Sequence, residues 1–421
     1  MKVSIKKIIG LSVFILVFFS LAALQLFIID SVPAGWVSFF LLLAGFIWFS
    51  FSKYWEMFTE GSFSFLKKLF FLAVCAVALQ VNCVLSKPQR EVSYLGTLYR
   101  EAFREMRNFD FMKGDKMLEA GAANAKTESK WKAPKGYTYS KINCGVPLEL
   151  LEKVSQNSGE KFREKEKLIF IIHGGAYVIG LNDYYRDEAL KFSRLTNGAS
   201  VLNIDYRIAP EYVYPAALED ALAAWNWILK TGWKEENITV VGDSAGGNLL
   251  ISMCLILRNQ GKKMPGKIIC MSPWLDLTGS GESYKTNLYK DVMFGIGKHS
   301  VKEEGKNIPV QNKTEEGETL EGRENKKPMI AWYADDNDLY DEYLSPVFAQ
   351  FYGFPKMLVQ VGTWELLQSD SRTLYEKAKA SGVDVTLQEY EGMFHVFQLT
   401  LEIIPEVKNA WKEIKKFVLE G

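Results

Sequence analysis

Apolar residues recur along this chain in three rhythms, which change near residues 90 and 137. Residues 8–29 and 36–52 are uncharged apolar runs joined by a turn-like stretch at 30–35, and residues 69–85 form a third run interrupted by Gln80 and Asn82. The first is long enough to cross a bilayer as a helix, and none of the three has the polar face that a soluble core helix presents. Between 94 and 112 the period becomes helical: Leu95, Leu98, Tyr99, Ala102, Phe103, Met106 and Phe109 share one face, with charges opposite. That spacing predicts an amphipathic helix. From 137 onward short apolar runs take over, at 137–142, 147–151, 168–172, 200–206, 238–241, 267–272, 356–361 and 384–390. Helical-period segments follow several of them, opening at 214, 248 and 366. Strand-like runs alternating with helices predict an α/β domain built on a mostly parallel sheet.

The chain therefore divides into a membrane region at 1–86 with two or three transmembrane helices, cap or linker helices at 87–136, and an α/β domain at 137–421. The length of the first apolar run, its lack of a small-residue cleavage site and the close second run argue against a cleaved signal peptide. Lys2, Lys6 and Lys7 precede the first run, and Lys53, Lys67 and Lys68 lie between the second and third. The positive-inside rule puts both groups in the cytoplasm. Three spans then make the α/β domain extracytoplasmic, which is the expectation here; two spans leave it cytoplasmic. Residues 298–327 are rich in Lys, Glu, Gly and Asn and poor in apolar residues. Such a segment cannot bury enough to fold alone and reads as a mobile polar insertion.

Composition narrows the chemistry. Fifty basic and fifty acidic residues give a formal net charge of zero, so nothing recommends a nucleic-acid partner. Five cysteines lack any Cys-x-x-Cys spacing, which describes neither a disulfide framework nor a zinc site. Cys75, Cys83, Cys254 and Cys270 read as small hydrophobes; Cys144 has no assigned role. Histidine is scarce, with only His173, His299 and His395.

The stretch that organises the α/β domain is 237–250, Asn-Ile-Thr-Val-Val-Gly-Asp-Ser-Ala-Gly-Gly-Asn-Leu-Leu. It places a Gly-x-Ser-x-Gly match between a buried-strand run and a helical run. A nucleophile elbow needs that context, because a sharp strand-to-helix turn lifts the serine hydroxyl clear of the sheet. A Gly-rich turn whose serine merely caps the helix is the plainer alternative; the flanking strand and helix favour Ser244 as nucleophile. The run at 168–172 delivers His173-Gly174-Gly175-Ala176-Tyr177. Glycine N–H groups can approach a developing oxyanion closely, so Gly174 and Gly175 are expected to donate together with Ala245. His173 is expected to shape that loop through hydrogen bonds without transferring protons, and no second histidine stands at metal-ligand spacing.

A triad acid must lie on the loop just after a strand. Glu365 occupies that place after the run at 356–361, and Asp370, inside the helical segment at 366–380, is the runner-up. With His173 in the oxyanion loop and His299 in the insertion, His395 is left as the base. The order Ser, acid, His matches the α/β-hydrolase order.

Four segments, His173-Gly-Gly-Ala, Asp205-Tyr-Arg with Ala-Pro-Glu211, Pro215-Ala-Ala with Asp220, and Gly242-Asp-Ser-Ala-Gly-Gly247, resemble in order and spacing the hormone-sensitive-lipase-like (bacterial family IV type) α/β-hydrolases. The resemblance covers about residues 90–421 and implies an α/β-hydrolase fold, with a mostly parallel eight-stranded sheet and a helical cap, that hydrolyses carboxylic esters. Asp205, Arg207 and Asp220 resemble the family's structural ion-pair positions, and Asp243 accompanies the nucleophile as a supporting residue. Family acids are often aspartate, but members resembling this chain at 362–367 use glutamate. One departure is Ala176 in place of the third loop glycine; it is expected to be tolerated, because the donors are the preceding backbone N–H groups, and to narrow the acyl pocket. A small-acyl, aryl or lipid ester is the implied substrate, with membrane lipid met through the N-terminal helices. Deacetylation or amide hydrolysis, a catalytically idle binding module, and a scaffold working through the insertion are the competing readings. No metal or organic cofactor is called for, and the sequence names no protein partner.

Overall fold

A computed structural model describes residues 92–108, 129–154, 166–295 and 329–420. The apolar runs at 8–29, 36–52 and 69–85, and the insertion at 298–327, lie outside the described residues; among the described residues no helix is long and apolar enough to cross a membrane. The chain divides into two compact units, Met1–Ala102 and Phe103–Gly421. The amphipathic segment forms α1 (Tyr94–Asn108), which begins in the first unit and ends in the second. Ser93 opens it: its Oγ accepts the N–H of Gly96 at 3.0 Å, satisfying one of the donors a helix start leaves free.

The second unit holds one eight-stranded sheet in the order β1-β2-β4-β3-β5-β6-β7-β8. Its strands are β1 (Tyr137–Asn143), β2 (Pro147–Lys153), β3 (Leu168–Ile172), β4 (Ser200–Ile204), β5 (Ile238–Asp243), β6 (Lys267–Met271), β7 (Lys356–Gly362) and β8 (Val385–Tyr390). Only β1–β2 and β2–β4 pair antiparallel; every other neighbour is parallel. The composition explains this. Leu168-Ile-Phe-Ile-Ile172 and Ser200–Ile204 are buried at every position, as strands covered on both faces by helices must be. The edge strand β1 instead alternates half-buried and exposed residues.

Helices α2 (Asp183–Leu195), α3 (Ala216–Lys230), α4 (Ser244–Asn259), α5 (Gln368–Ala380) and α6 (Pro405–Leu419) are the longer helices of the second unit among the described residues. Phe170 and Trp225 are fully buried in the core between them, each worth about 1.5–3 kcal/mol on transfer from water. α4 lies so close to β3 that a Cβ on Gly246 would stand 2.0 Å from the carbonyl oxygen of Ile172. No other residue fits there. Because β3, β5, β6, β7 and β8 are consecutive neighbours running parallel, the loops at their carboxyl ends form one row. Gly174, Gly175, Ser244, Glu365 and His395 all lie along it.

Candidate active site

Ser244 is the first residue of α4, and its φ of +51° lies in the left-handed region, whereas Asp243 before it is extended. The abrupt reversal is the strand-to-helix turn that the Gly-x-Ser-x-Gly spacing predicts. Ser244 Oγ stands 2.9 Å from Nε2 of His395, and Nδ1 of His395 stands 3.0 Å from Oε2 of Glu365. With a proton on Nδ1 donated to Glu365, Nε2 is free to accept from the serine hydroxyl. Oε1 of Glu365 accepts the N–H of Gly362 at 2.5 Å and the hydroxyl of Ser272 at 2.8 Å. Burial pushes the Glu365 carboxyl above its usual range, and its bonds to His395, Gly362 and Ser272 act against that rise. The arrangement can draw a proton from a serine hydroxyl through an imidazole of fixed tautomer.

The loops after β7 and β8 are laced together, which fixes the imidazole. Thr363 and Trp364 donate backbone N–H groups to the carbonyls of Tyr390 and Met393 at 3.0 and 3.1 Å. Gly392 N–H in turn reaches Oγ1 of Thr363 at 2.9 Å. Asp370 serves a different segment. Its Oδ2 accepts the N–H groups of Leu275 and Asp276 at 2.8 and 2.9 Å and the Tyr284 hydroxyl at 3.2 Å. Burial, reinforced by Asp276, holds this carboxyl well above its usual range. Its geometry braces the turn after β6 rather than the imidazole.

The loop after β3 corrects one expectation. The N–H of Gly174 donates to Oδ1 of Asp243 and to the Tyr185 hydroxyl, both at 2.9 Å, so it is already engaged. The register explains why: β3 and β5 run side by side with Ile172 opposite Gly242, which brings Gly174 over Asp243. The N–H groups of Gly175 and Ala176 have no acceptor among the described residues, and Ala245 lies in the first turn of α4, where N–H groups lack intrahelical partners. These three, not Gly174, are available to an oxyanion. Gly175 has φ +111°, and a Cβ there would meet the Ile179 carbonyl oxygen at 2.7 Å. Ala176 follows at φ +53° and is buried, so its methyl group is accommodated in a conformation that favours glycine.

Four residues support the site. His173 is fully buried; its Nδ1 lies 2.7 Å from the Gly174 carbonyl, and its ring stacks on Tyr206 at 4.2 Å. Burial lowers its pKa to about 4, against the bond to Gly174, so it is neutral near pH 7 and shapes the loop. Asp243 is pushed up to about 6 by burial, opposed by the Tyr185 hydroxyl, His395 and the Gly174 N–H. Arg207 pairs with Asp220 and Glu219 at 2.8 and 3.0 Å, as the ion-pair positions imply. Asp205 departs from that expectation. Its Oδ1 accepts the Leu181 N–H at 3.2 Å: β4 ends at Ile204, so its carboxylate faces the 180–181 turn while Arg207 faces α3.

Two site residues were missed by sequence reasoning. Ser272 ends the run at 267–272 and opens a segment similar to the family's Ser-Pro-Trp segment, which gives its hydroxyl no role; Tyr185 lies in an ordinary amphipathic helix, and no spacing marks either. His299 lies outside the described residues. Among the described residues no group of three His, Cys, Asp or Glu side chains could hold a metal ion.

Comparison with known proteins gives this geometry a family. Residues 169–300 and 299–399 match the alpha/beta hydrolase fold family. An esterase of Acinetobacter venetianus is 33% identical over 251 residues, covering 60% of this chain and 74% of its own length. An acetyl-hydrolase of Streptomyces hygroscopicus is 30% identical over 271 residues, covering 64% of this chain and 81% of its own. The crystal structure of an esterase from the bacterial hormone-sensitive lipase family superposes with a TM-score of 0.55 at 30% identity, covering 72% of this chain and 96% of that one. The chain belongs to the alpha/beta-hydrolase fold family, in its hormone-sensitive-lipase-like branch. It is a carboxylic ester hydrolase by that membership.

Proposed function

We propose that this chain hydrolyses short-acyl carboxylic esters through an acyl-enzyme, with Ser244 as nucleophile, His395 as general base and then acid, and Glu365 as the carboxylate that orients the ring. The observation that carries the reading is the unbroken path from Ser244 to His395 to Glu365 at 2.9 and 3.0 Å. Ser244 Oγ adds to the ester carbonyl carbon as its proton passes to Nε2 of His395. The carbonyl oxygen gains the negative charge and is met by the N–H groups of Gly175, Ala176 and Ala245. Nε2 returns the proton to the departing alcohol oxygen. Water, deprotonated by the same imidazole, then adds to the acyl carbon, and the imidazolium returns the proton to Ser244 Oγ as the acyl–oxygen bond breaks and the acid departs.

The acetyl-hydrolase among the relatives supports a short acyl group, as does the Ala176 methyl beside the oxyanion donors. Anchoring in a membrane through the apolar runs at 8–29, 36–52 and 69–85 belongs to the same proposal, with the catalytic unit on the extracytoplasmic side. Labelling of the full chain by a fluorophosphonate probe tests the nucleophile: wild type is labelled and hydrolyses p-nitrophenyl acetate, and Ser244→Ala does neither. Retained turnover in that variant overturns the reading. Loss of Ser244 or His395 is expected to cost on the order of 10⁶ in kcat. Protease accessibility in sealed vesicles tests the topology.

A further inference from the structure

The last described loop before residue 296 reaches the imidazole from a side the mechanism does not use. The Phe294 ring lies 4.8 Å from the His395 ring, centroid to centroid, at an interplanar angle of 60°. It also packs on a small cluster formed by Tyr284, Leu366 and Leu367. The loop is held from below by Asp291, which is 1% exposed. One carboxylate oxygen accepts the N–H groups of Met293 and Phe294 at 2.8 and 2.9 Å; the other accepts the N–H of Leu366, the residue after Glu365, at 2.7 Å. Asn287 adds a second tie, donating to the carbonyls of Thr363 and Glu365 at 3.0 and 2.9 Å. Phe294 therefore stands on a bracket bolted to the same loop that carries the acid.

We propose that Phe294 is a specificity-determining residue for the alcohol portion of the ester, and that Asp291 is the positioning residue that holds its ring against His395. The inference rests on the roles given above to Ser244 and His395. Nε2 must hand its proton to the leaving oxygen, so that oxygen sits beside the imidazole while the acyl group stays bonded to Ser244. A ring packed on the imidazole then bounds the space through which the alcohol departs. Tilted against the histidine, it offers an aromatic alcohol an offset or edge contact. It offers a small aliphatic alcohol little.

The test compares two ester series on the full chain. In one the acyl group is acetyl and the alcohol changes from ethanol to benzyl alcohol; in the other the alcohol is fixed and the acyl chain lengthens. Phe294→Ala is expected to lower kcat/KM for benzyl acetate about tenfold, the scale of one aromatic pair contact, and to change ethyl acetate less than about twofold. The acyl-length profile keeps its shape. Phe294→Tyr restores the benzyl preference, and Phe294→Leu, which keeps most of the volume without the π-face, does not. Asp291→Asn, whose amide nitrogen cannot accept the Leu366 N–H, gives the same alcohol-selective loss on a smaller scale. Equal loss on benzyl and ethyl acetate, a change that follows acyl length, or no change at all overturns the inference. Ser244→Ala is run alongside: residual turnover there refutes the nucleophile itself, a separate outcome from any pattern at Phe294.

Discussion

The hydroxyl of Ser272 donates to Oε1 of Glu365 at 2.8 Å and accepts the N–H of Val396 at 3.1 Å. One buried oxygen thereby joins the acid to the residue that follows the imidazole. Ser272→Ala leaves the Val396 N–H without that acceptor, at a cost of about 1–3 kcal/mol for an unsatisfied buried group. Glu365 would retain its bonds to Gly362 and His395. The expected result is a kcat for p-nitrophenyl acetate lower by about tenfold, as for a modest loss of ring orientation, with KM little changed. A lower Tm accompanies it. Steady-state kinetics and calorimetry on the same preparation check both.

Glu365→Gln and Asp370→Asn separate the two carboxyls. Glu365→Gln keeps the shape but offers the wrong group to Nδ1, and in serine triads that change costs about 10⁴ in kcat. Asp370→Asn retains an oxygen that can accept from Leu275 and Asp276. It is expected to reduce kcat by less than about tenfold while lowering Tm, consistent with about 1–3 kcal/mol for disturbing a buried hydrogen-bonded turn. The reverse ranking in kcat would reassign the acid.

Gly175→Ala strains the oxyanion loop twice over, since φ is +111° and the new Cβ meets both the carbonyl oxygen and the Cβ of Ile179 inside 3 Å. Displacing that N–H is expected to cost about 10² to 10³ in kcat, the worth of one oxyanion donor. Fluorophosphonate labelling slows in parallel, because the phosphoryl oxygen uses the same donors. Labelling at the wild-type rate would mean that the loop plays no part.

Two buried groups give stability opposite dependences on pH. His173, lowered from 6.5 to about 4, binds a proton more readily unfolded, so it contributes stability above about 6.5 that is lost as pH falls towards 4. Asp243, raised from 3.8 to about 6, binds a proton more readily folded, so it adds stability as pH falls from 6 towards 3.8. Asp243→Asn removes the second effect, worth about 2 kcal/mol at pH 4.5. The drop in Tm between pH 7 and 4.5 is therefore expected to be larger in Asp243→Asn than in wild type. Equal drops would show that the Asp243 carboxyl does not change its proton affinity on folding.

What the sequence made legible was whatever is local. The runs at 168–172 and 238–241 announce strands because no helix is so short and so β-branched, and the glycines around Ser244 announce a turn that only glycine permits. Ser244, Glu365 and His395 could be named because each lies on a loop directly after a strand and because histidine is scarce. Partnerships across the sheet were not legible. That the Gly174 N–H serves Asp243 depends on β3 lying beside β5 in one register, and the chain alone does not state a register. The roles of Ser272 and Tyr185 are hidden for the same reason: a hydroxyl just after β6 or on α2 declares nothing until its neighbours in space are known. Asp205 misled because its carboxylate meets the Leu181 N–H while Arg207, with only Tyr206 between them, meets Asp220 on α3.

The order of strands also bears on protein synthesis. The imidazole hangs from the turn after β8, the final strand to leave the ribosome and the one at the far border from β1. A nascent polypeptide finished through α5 already owns Ser244, Ser272 and Glu365, yet lacks the imidazole of His395. On the roles proposed for Ser244 and His395, a molecule grown only that far would be silent towards acyl groups in its surroundings until the turn after the last strand is laid down.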